Sequence, residues 1–257
     1  MDGLSWVVAS QSRERVLTRR PMVRHRFESP AGWLTALHDP PGSGDPPGDP
    51  LGGLRAAVVC HPHPLHGGTM DNKVVFTLAR SLRERGLHVL RFNFRGAGGS
   101  EGQHDEGRGE VDDVRAALDE VALLAAAGPG GPLGPGSILV AGFSFGSFVG
   151  LSAGWEDERV GALIAVAPPV NHYDYPALDT RRAPLAVLYA AQDELVPVAG
   201  VQAWLAAGGE APAAGSGRAP VHEVRVEGAT HLFHGHLREL REGVDGFLDG
   251  QALHFAP

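Results

Sequence analysis

A doubly wound, mostly parallel α/β sheet with helices on both faces is the fold class this sequence predicts, on three observations. Short runs of apolar residues recur without polar alternation, at 56–60, 89–94, 138–141, 163–167, 185–189 and 223–226. Segments with apolar residues at helical spacing lie between them. Residues able to do chemistry follow closely on the ends of the runs. A continuous apolar run suits a strand buried on both faces, as in a parallel sheet. Alternation of such runs with helices implies right-handed strand–helix–strand units. Sheets of this kind bind ligands beyond the carboxyl ends of their strands.

The elements follow in order. Segments 23–27 and 33–37 read as two strands split by the turn Ser29-Pro30-Ala31-Gly32. The Pro/Gly/Asp-rich stretch 40–53 is expected to be an exposed, mobile loop. It is not read as a domain linker, because the residues before it are too few to build a core. Val75, Leu78 and Leu82 mark a first helix, and Val111, Val114, Leu118, Val121 and Ala125 a second. A third is expected from Phe145 to Gly154, and a last one carries Leu237, Leu240, Val244 and Phe247. Residues 1–18 show no clear periodicity, and residues 1–257 are read as a single domain.

Composition narrows the function classes. The chain has 257 residues, 43% hydrophobic and 20% charged, which suits a soluble globular protein able to bury a large core. A net charge of −8 and short, scattered arginine clusters argue against a nucleic-acid partner. A single cysteine, Cys60, forbids an internal disulfide. The apolar stretch 4–9 is too short for a signal peptide or membrane span, so no membrane partner and a cytoplasmic location are expected.

Three segments match G-x-S-x-G, centred on Ser100, Ser144 and Ser152, and in a chain with 36 glycines a match alone is weak. Context separates them. An exposed nucleophilic serine needs a buried strand immediately before it and a helix immediately after, with glycines permitting the tight turn. Ser144 follows Ile138-Leu139-Val140-Ala141 and precedes the expected helix. Ser152 falls inside that helix, and Ser100 lies in a loop with no helix directly after it.

A serine hydroxyl needs a base to take its proton, and the base needs an acid to hold its tautomer. Folds that carry such an elbow supply them in the chain order Ser, Asp or Glu, His. Asp193 follows the run 185–189, with Glu194 as its rival. His231 follows 223–226, with His234 and His236, expected as early residues of the last helix, as its rivals. Charge developing on a carbonyl oxygen needs two backbone N–H donors. One is expected from Phe145, the other from the loop His61-Pro62-His63-Pro64-Leu65-His66-Gly67-Gly68. Pro62 and Pro64 have no N–H, which leaves His63 first and Leu65 second. Cys60 is expected to be a buried apolar residue at the strand end.

The loop 61–65, with Gly67-Gly68-Thr69-Met70 and Asn72-Lys73-Val74, resembles small, cap-less bacterial α/β-hydrolases related to dienelactone hydrolase. Phe92-Asn93-Phe94-Arg95-Gly96, then Gly98 and Ser100, matches the same group. The resemblance runs from about Arg20 to Gly250 and leaves out residues 1–18 and 40–53. It implies the α/β-hydrolase fold, a triad at Ser144, Asp193 and His231, and hydrolysis without metal or organic cofactor.

Only a short segment separates the runs 163–167 and 185–189, so no large cap domain fits. An open cleft favours a small-molecule ester with a short acyl group. Leu65, His172, Tyr173 and Tyr175 are candidates to line it, with His104 and Asp105 in the loop after 89–94 as further ones. Thioester or peptide cleavage by the same triad remains an alternative, as does a non-catalytic binding domain. Metal ligation by His61, His63 and His66 is a further reading, against which stands the lack of a carboxylate in that cluster.

Overall fold

The computed structural model describes residues 22–41, 51–128, 130–180, 182–208 and 219–254. Eight strands join in one sheet in the order β1-β2-β4-β3-β5-β6-β7-β8. These are β1 Val23–Ser29, β2 Gly32–Asp39, β3 Ala56–Cys60, β4 His88–Phe92, β5 Ile138–Phe143, β6 Val160–Val166, β7 Leu185–Ala190 and β8 Val221–Val226. The hairpin β1–β2 and the pair β2–β4 are antiparallel, and every other neighbouring pair is parallel. The chain steps from β3 out to β4 and then returns to the far side of β3 at β5. In such sheets ligands bind beyond the carboxyl ends of the strands at this kind of reversal, here β3 and β5.

The apolar runs are explained by two cores, one on each face. Along β3, Ala56, Val58 and Cys60 enter one core and Ala57 and Val59 the other. Along β5, Ile138 and Val140 face the first, and Leu139, Ala141 and Phe143 the second. Alternate side chains point to opposite faces, and both faces exclude water, so no position calls for a polar residue. Helices α2 Arg108–Ala126 and α3 Phe145–Gly154 cover the first core. Helices α1 Lys73–Glu84 and α5 Leu237–His254 cover the second. The outer surfaces of α1 and α5 are joined by Arg241 with Glu84 and by Arg85 with Asp245 and Asp249. Among the described residues no helix is long and apolar enough to cross a membrane.

Several expectations need correction. Residues 42–50 of the stretch 40–53 lie outside the described residues, as do residues 1–18. Within that stretch Gly53 is exposed, but Leu51 is buried and joins Leu54 in the core under α1 and α5. Strand β8 is an edge strand with mostly accessible side chains, not a run buried on both faces. Strand β4 stops at Phe92, two residues early, and β6 stops at Val166, where Ala167 turns to φ 45°. A helix not anticipated, α4 Val198–Ala207, follows β7 and buries only Val201.

Candidate active site

The turn from β5 into α3 brings Ser144 out of the sheet. Ser144 has φ 53° and ψ −123°, a conformation that costs free energy for a residue with a side chain. Its amide donates to the Val166 carbonyl at 2.8 Å, and its carbonyl accepts from the Ser147 amide at 2.8 Å, so both neighbouring elements grip the turn. The flanking glycines have a steric reason to be there. A Cβ on Gly146 would lie 2.4 Å from the His61 carbonyl oxygen and 2.5 Å from that of Cys60. One on Gly142 would lie 2.2 Å from the Gly146 carbonyl oxygen. The elbow is packed backbone against backbone, and only glycine fits.

Asp193 comes from the loop after β7 and His231 from the loop after β8. His231 Nε2 lies 3.0 Å from Ser144 Oγ, and its Nδ1 lies 2.9 Å from Asp193 Oδ2. A carboxylate only accepts, so Nδ1 carries the proton and Nε2 is free to accept from the serine hydroxyl. Asp193 Oδ1 also accepts from the amides of Leu195 and Val196, at 2.9 and 2.8 Å. The side chains of His231 and Asp193 are nearly inaccessible, which shields their hydrogen bond from water. The rivals part from the triad positions. Glu194 Oε2 accepts from the backbone amide of His231 at 3.0 Å, holding the histidine's loop rather than its ring. His234 and His236 precede α5 rather than beginning it, and His236 caps it through its carbonyl, which accepts from Leu240 N at 3.1 Å.

The other two serines are occupied elsewhere. Ser152 Oγ donates to the Phe148 carbonyl within α3 at 2.8 Å. Ser100 Oγ donates to the Asn93 carbonyl at 2.7 Å and accepts from Thr35 N, tying its loop to β2.

Phe145, the first residue of α3, and His63, in the loop after β3, stand side by side with ring centroids 4.9 Å apart. Among the described residues neither amide has a protein acceptor. The Leu65 amide, by contrast, is taken by His63 Nδ1 at 3.3 Å, which leaves His63 as the loop's better placed donor. Leu65 itself is exposed. Tyr173 stacks on Phe148 at 4.6 Å and meets Phe145 edge-on at 5.7 Å, so it adjoins the elbow. His172 is exposed and has no hydrogen bond to the triad among the described residues. His104 packs on His63 at 4.7 Å and lies 2.7 Å from the buried Glu110, while Asp105 caps the start of α2 at Gly109. Burial and the neighbouring His104 and His66 hold the His63 imidazole below the usual histidine range.

Two contributors were not anticipated. Ser147 is fully buried, donates to the Ser144 carbonyl at 2.6 Å and meets the Tyr175 hydroxyl at 2.8 Å. This joins the segment after β6 to the elbow. The second is His61, whose two ring nitrogens are both engaged by backbone, at Pro62 O and Phe94 N. That engagement removes it as a metal ligand. A serine three residues past Ser144 and a histidine at the end of a buried run were the available signals, and neither is specific without coordinates.

A family model described as the alpha/beta hydrolase fold matches residues 65–203, more than half of the chain. A serine hydrolase without lid from Xanthomonas campestris is 32% identical, with a TM-score of 0.73, covering 94% of this chain and 98% of that one. An alpha-beta serine hydrolase homologue from Coxiella burnetii is 36% identical, with a TM-score of 0.70, covering 87% of this chain and 96% of that one. The chain belongs to the α/β-hydrolase family. Within it, the likeness is to bacterial serine hydrolase homologues, one of them without a lid. An uncharacterized protein of Rickettsia prowazekii is 40% identical over 143 residues, a match spanning 54% of this chain and 57% of that relative.

Proposed function

We propose that this protein is a serine hydrolase that cleaves small carboxylic esters through an acyl-enzyme on Ser144. The hydrogen-bonded line from Ser144 Oγ through His231 to Asp193 carries this reading. Family membership and serine hydrolase relatives support it. In the first half-reaction Ser144 Oγ attacks the ester carbonyl carbon and its proton passes to His231 Nε2. The negative charge on the tetrahedral oxygen is met by the amides of Phe145 and His63. The C–O bond to the alcohol then breaks, and the proton on Nε2 goes to the departing oxygen. In the second half, His231 takes a proton from water, hydroxide adds to the acyl carbon, and Ser144 leaves reprotonated. Asp193 holds the imidazole in the required tautomer and offsets its transient positive charge. These steps call on no metal and no organic cofactor.

What borders the triad supports a small substrate. Among the described residues, the segment between β6 and β7 carries one short 3₁₀ turn, Leu178–Thr180, and no inserted domain. Leu195, two residues past Asp193, and Leu232, next to His231, expose apolar side chains, as does Leu65. Small exposed apolar side chains beside the triad favour short acyl chains over long ones.

Treatment with a fluorophosphonate followed by peptide mass spectrometry should place the adduct on Ser144. Ser144→Ala should escape labelling and lose about 10³-fold or more in hydrolysis of p-nitrophenyl esters, while Ser152→Ala keeps most activity. Acetyl and butyryl esters should exceed chains of about ten carbons in kcat/KM. Labelling on another serine, or hydrolysis that survives Ser144→Ala, overturns the reading.

A further inference from the structure

His61 is wholly inaccessible to solvent and lies one residue past β3. Its Nε2 lies 3.0 Å from the backbone N of Phe94. An amide only donates, so Nε2 must be the unprotonated nitrogen. Its Nδ1 lies 2.6 Å from the carbonyl oxygen of Pro62, an acceptor, so Nδ1 carries the proton. One state of the ring satisfies both contacts, the neutral Nδ1–H tautomer. A doubly protonated ring would set an N–H against the Phe94 N–H. Burial, reinforced by His63 and opposed by the Pro62 hydrogen bond, pushes the imidazole down to about 4, in keeping with a neutral ring.

The carbonyl that Nδ1 grips belongs to the peptide whose other end is the His63 N–H. That peptide is trans, since the described residues contain no cis bond. In a planar trans peptide the C=O and N–H point in opposite directions. Fixing the Pro62 oxygen therefore fixes where the His63 N–H points. The peptide is also backed from a second side. The Gly68 amide donates to the His63 carbonyl at 3.0 Å, and a Cβ on Gly68 would lie 2.0 Å from the Pro62 oxygen. The loop is thus closed around this peptide unit, with a histidine ring as one jaw.

We propose that His61 is a positioning residue of the oxyanion hole: held as its Nδ1–H tautomer by the Phe94 amide, it aims the His63 N–H at the developing oxyanion. The inference rests on the proposed serine hydrolase reading and assigns a role to a side chain that touches neither substrate nor triad. Electrostatic stabilisation depends on donors aligned before the charge appears. A tethered peptide supplies that alignment, and a freely rotating one must be ordered during the reaction.

The two ring nitrogens can be replaced separately. The amide nitrogen of Asn stands near the place of Nδ1, and the amide oxygen of Gln near that of Nε2. His61→Asn therefore keeps a donor for Pro62, while His61→Gln keeps only an acceptor for Phe94. For a short p-nitrophenyl ester, His61→Gln and His61→Ala should lose about 10- to 100-fold in kcat, less than or comparable to losing an oxyanion donor outright, with KM little changed. His61→Asn should recover most of that loss. Affinity for a trifluoromethyl ketone, which binds as a hemiketal with its oxygen anion in the hole, should fall by the same factor as kcat/KM. Unchanged kcat/KM and ketone affinity in His61→Gln overturn the proposal. So do losses that follow the melting temperature and are equal in the Asn and Gln variants. Should the variants fail to fold, nitrogen-15 NMR of the wild-type imidazoles decides. A neutral Nδ1–H ring for His61 across about pH 5 to 8 supports the proposal, and a protonated Nε2 overturns it. If the wild-type protein forms no adduct on Ser144, the serine hydrolase reading itself has failed. If it forms one and His61→Gln binds the ketone as tightly, only the positioning role has.

Discussion

Ser144 stands in a backbone conformation with φ 53° because the amide behind it and the carbonyl ahead of it are both tied to neighbouring elements. The strain sets its Oγ against His231 Nε2 rather than against a carbonyl of its own helix, where Ser152 Oγ ends up. Two adjacent carboxylates divide the work on His231, Asp193 taking the ring and Glu194 the backbone amide. If serine and histidine act as one unit, their losses do not multiply. Ser144→Ala, His231→Ala and the double variant should therefore be inactive to within about tenfold of one another. Ester hydrolysis by the three proteins checks this, and losses that multiply would show two independent groups. Glu194→Ala, which frees the loop but leaves the ring pair, should cost far less than His231→Ala.

At the scale of elements, the elbow depends on the start of α3 approaching the end of β3 closely enough for backbone to touch backbone. Gly146 and Gly150 lie one helical turn apart in α3 and make a controlled comparison. A methyl group on Gly146 meets two carbonyl oxygens of the β3 end, which cannot move aside. One on Gly150 meets Val140 Cγ1 at 3.2 Å and Cys60 Sγ at 3.5 Å, which are side-chain atoms with some freedom. Gly146→Ala should cost about 3 kcal/mol or more and much of the activity, and Gly150→Ala about 1 kcal/mol, as read by urea melts and ester turnover. The same contrast shows what the sequence could tell. The central strands were legible because both faces are buried, and the order Ser144, Asp193, His231 was legible because each follows a strand end. Helix α4 was not, because its apolar residues are spread around it: Val201 alone is fully buried, and Val198, Trp204 and Leu205 pack half-buried against the core. Leu51 was hidden by its Pro- and Gly-rich surroundings, and β8 by an apolar content that an edge strand leaves partly exposed. The role of His61 depends on which ring atom meets which backbone group across two loops, and no spacing encodes that.

For the whole molecule, two cores back to back make the sheet the common wall, and titratable groups caught in it couple stability to pH. His38 on β2 is buried, with Nε2 3.1 Å from His88 Nδ1 on β4. Burial, then His88 and His25, pushes its imidazole down to about 4. His61 is pushed down to about 4 by burial. An unfolded histidine takes its proton near pH 6.5, so between about 6.5 and 4 the unfolded chain binds more protons than the folded one. The stability from these two groups is complete above about pH 6.5 and declines as pH falls toward 4. The melting temperature should therefore drop by several degrees or more from about pH 7 to 4.5. His38→Gln, which keeps a polar atom near Nε2 but cannot become charged, should make that slope shallower. An equal slope in the variant would assign the acid sensitivity to other groups.

Cys60 packs its sulfur under Gly150 at the end of β3. It is the one cysteine in the chain, and complete burial drives its thiol well above the usual range. A thiol that stays protonated and shut away from solvent reacts with maleimides and iodoacetamides only when the sheet opens. The native chain is thus already a silent background for site-specific labelling. A cysteine placed at exposed Leu65 or Leu195 would take up one fluorophore or spin label beside the cleft without removing any other residue. Slow appearance of label on Cys60 itself would clock the opening of the fold, from inside the wall that separates the two cores.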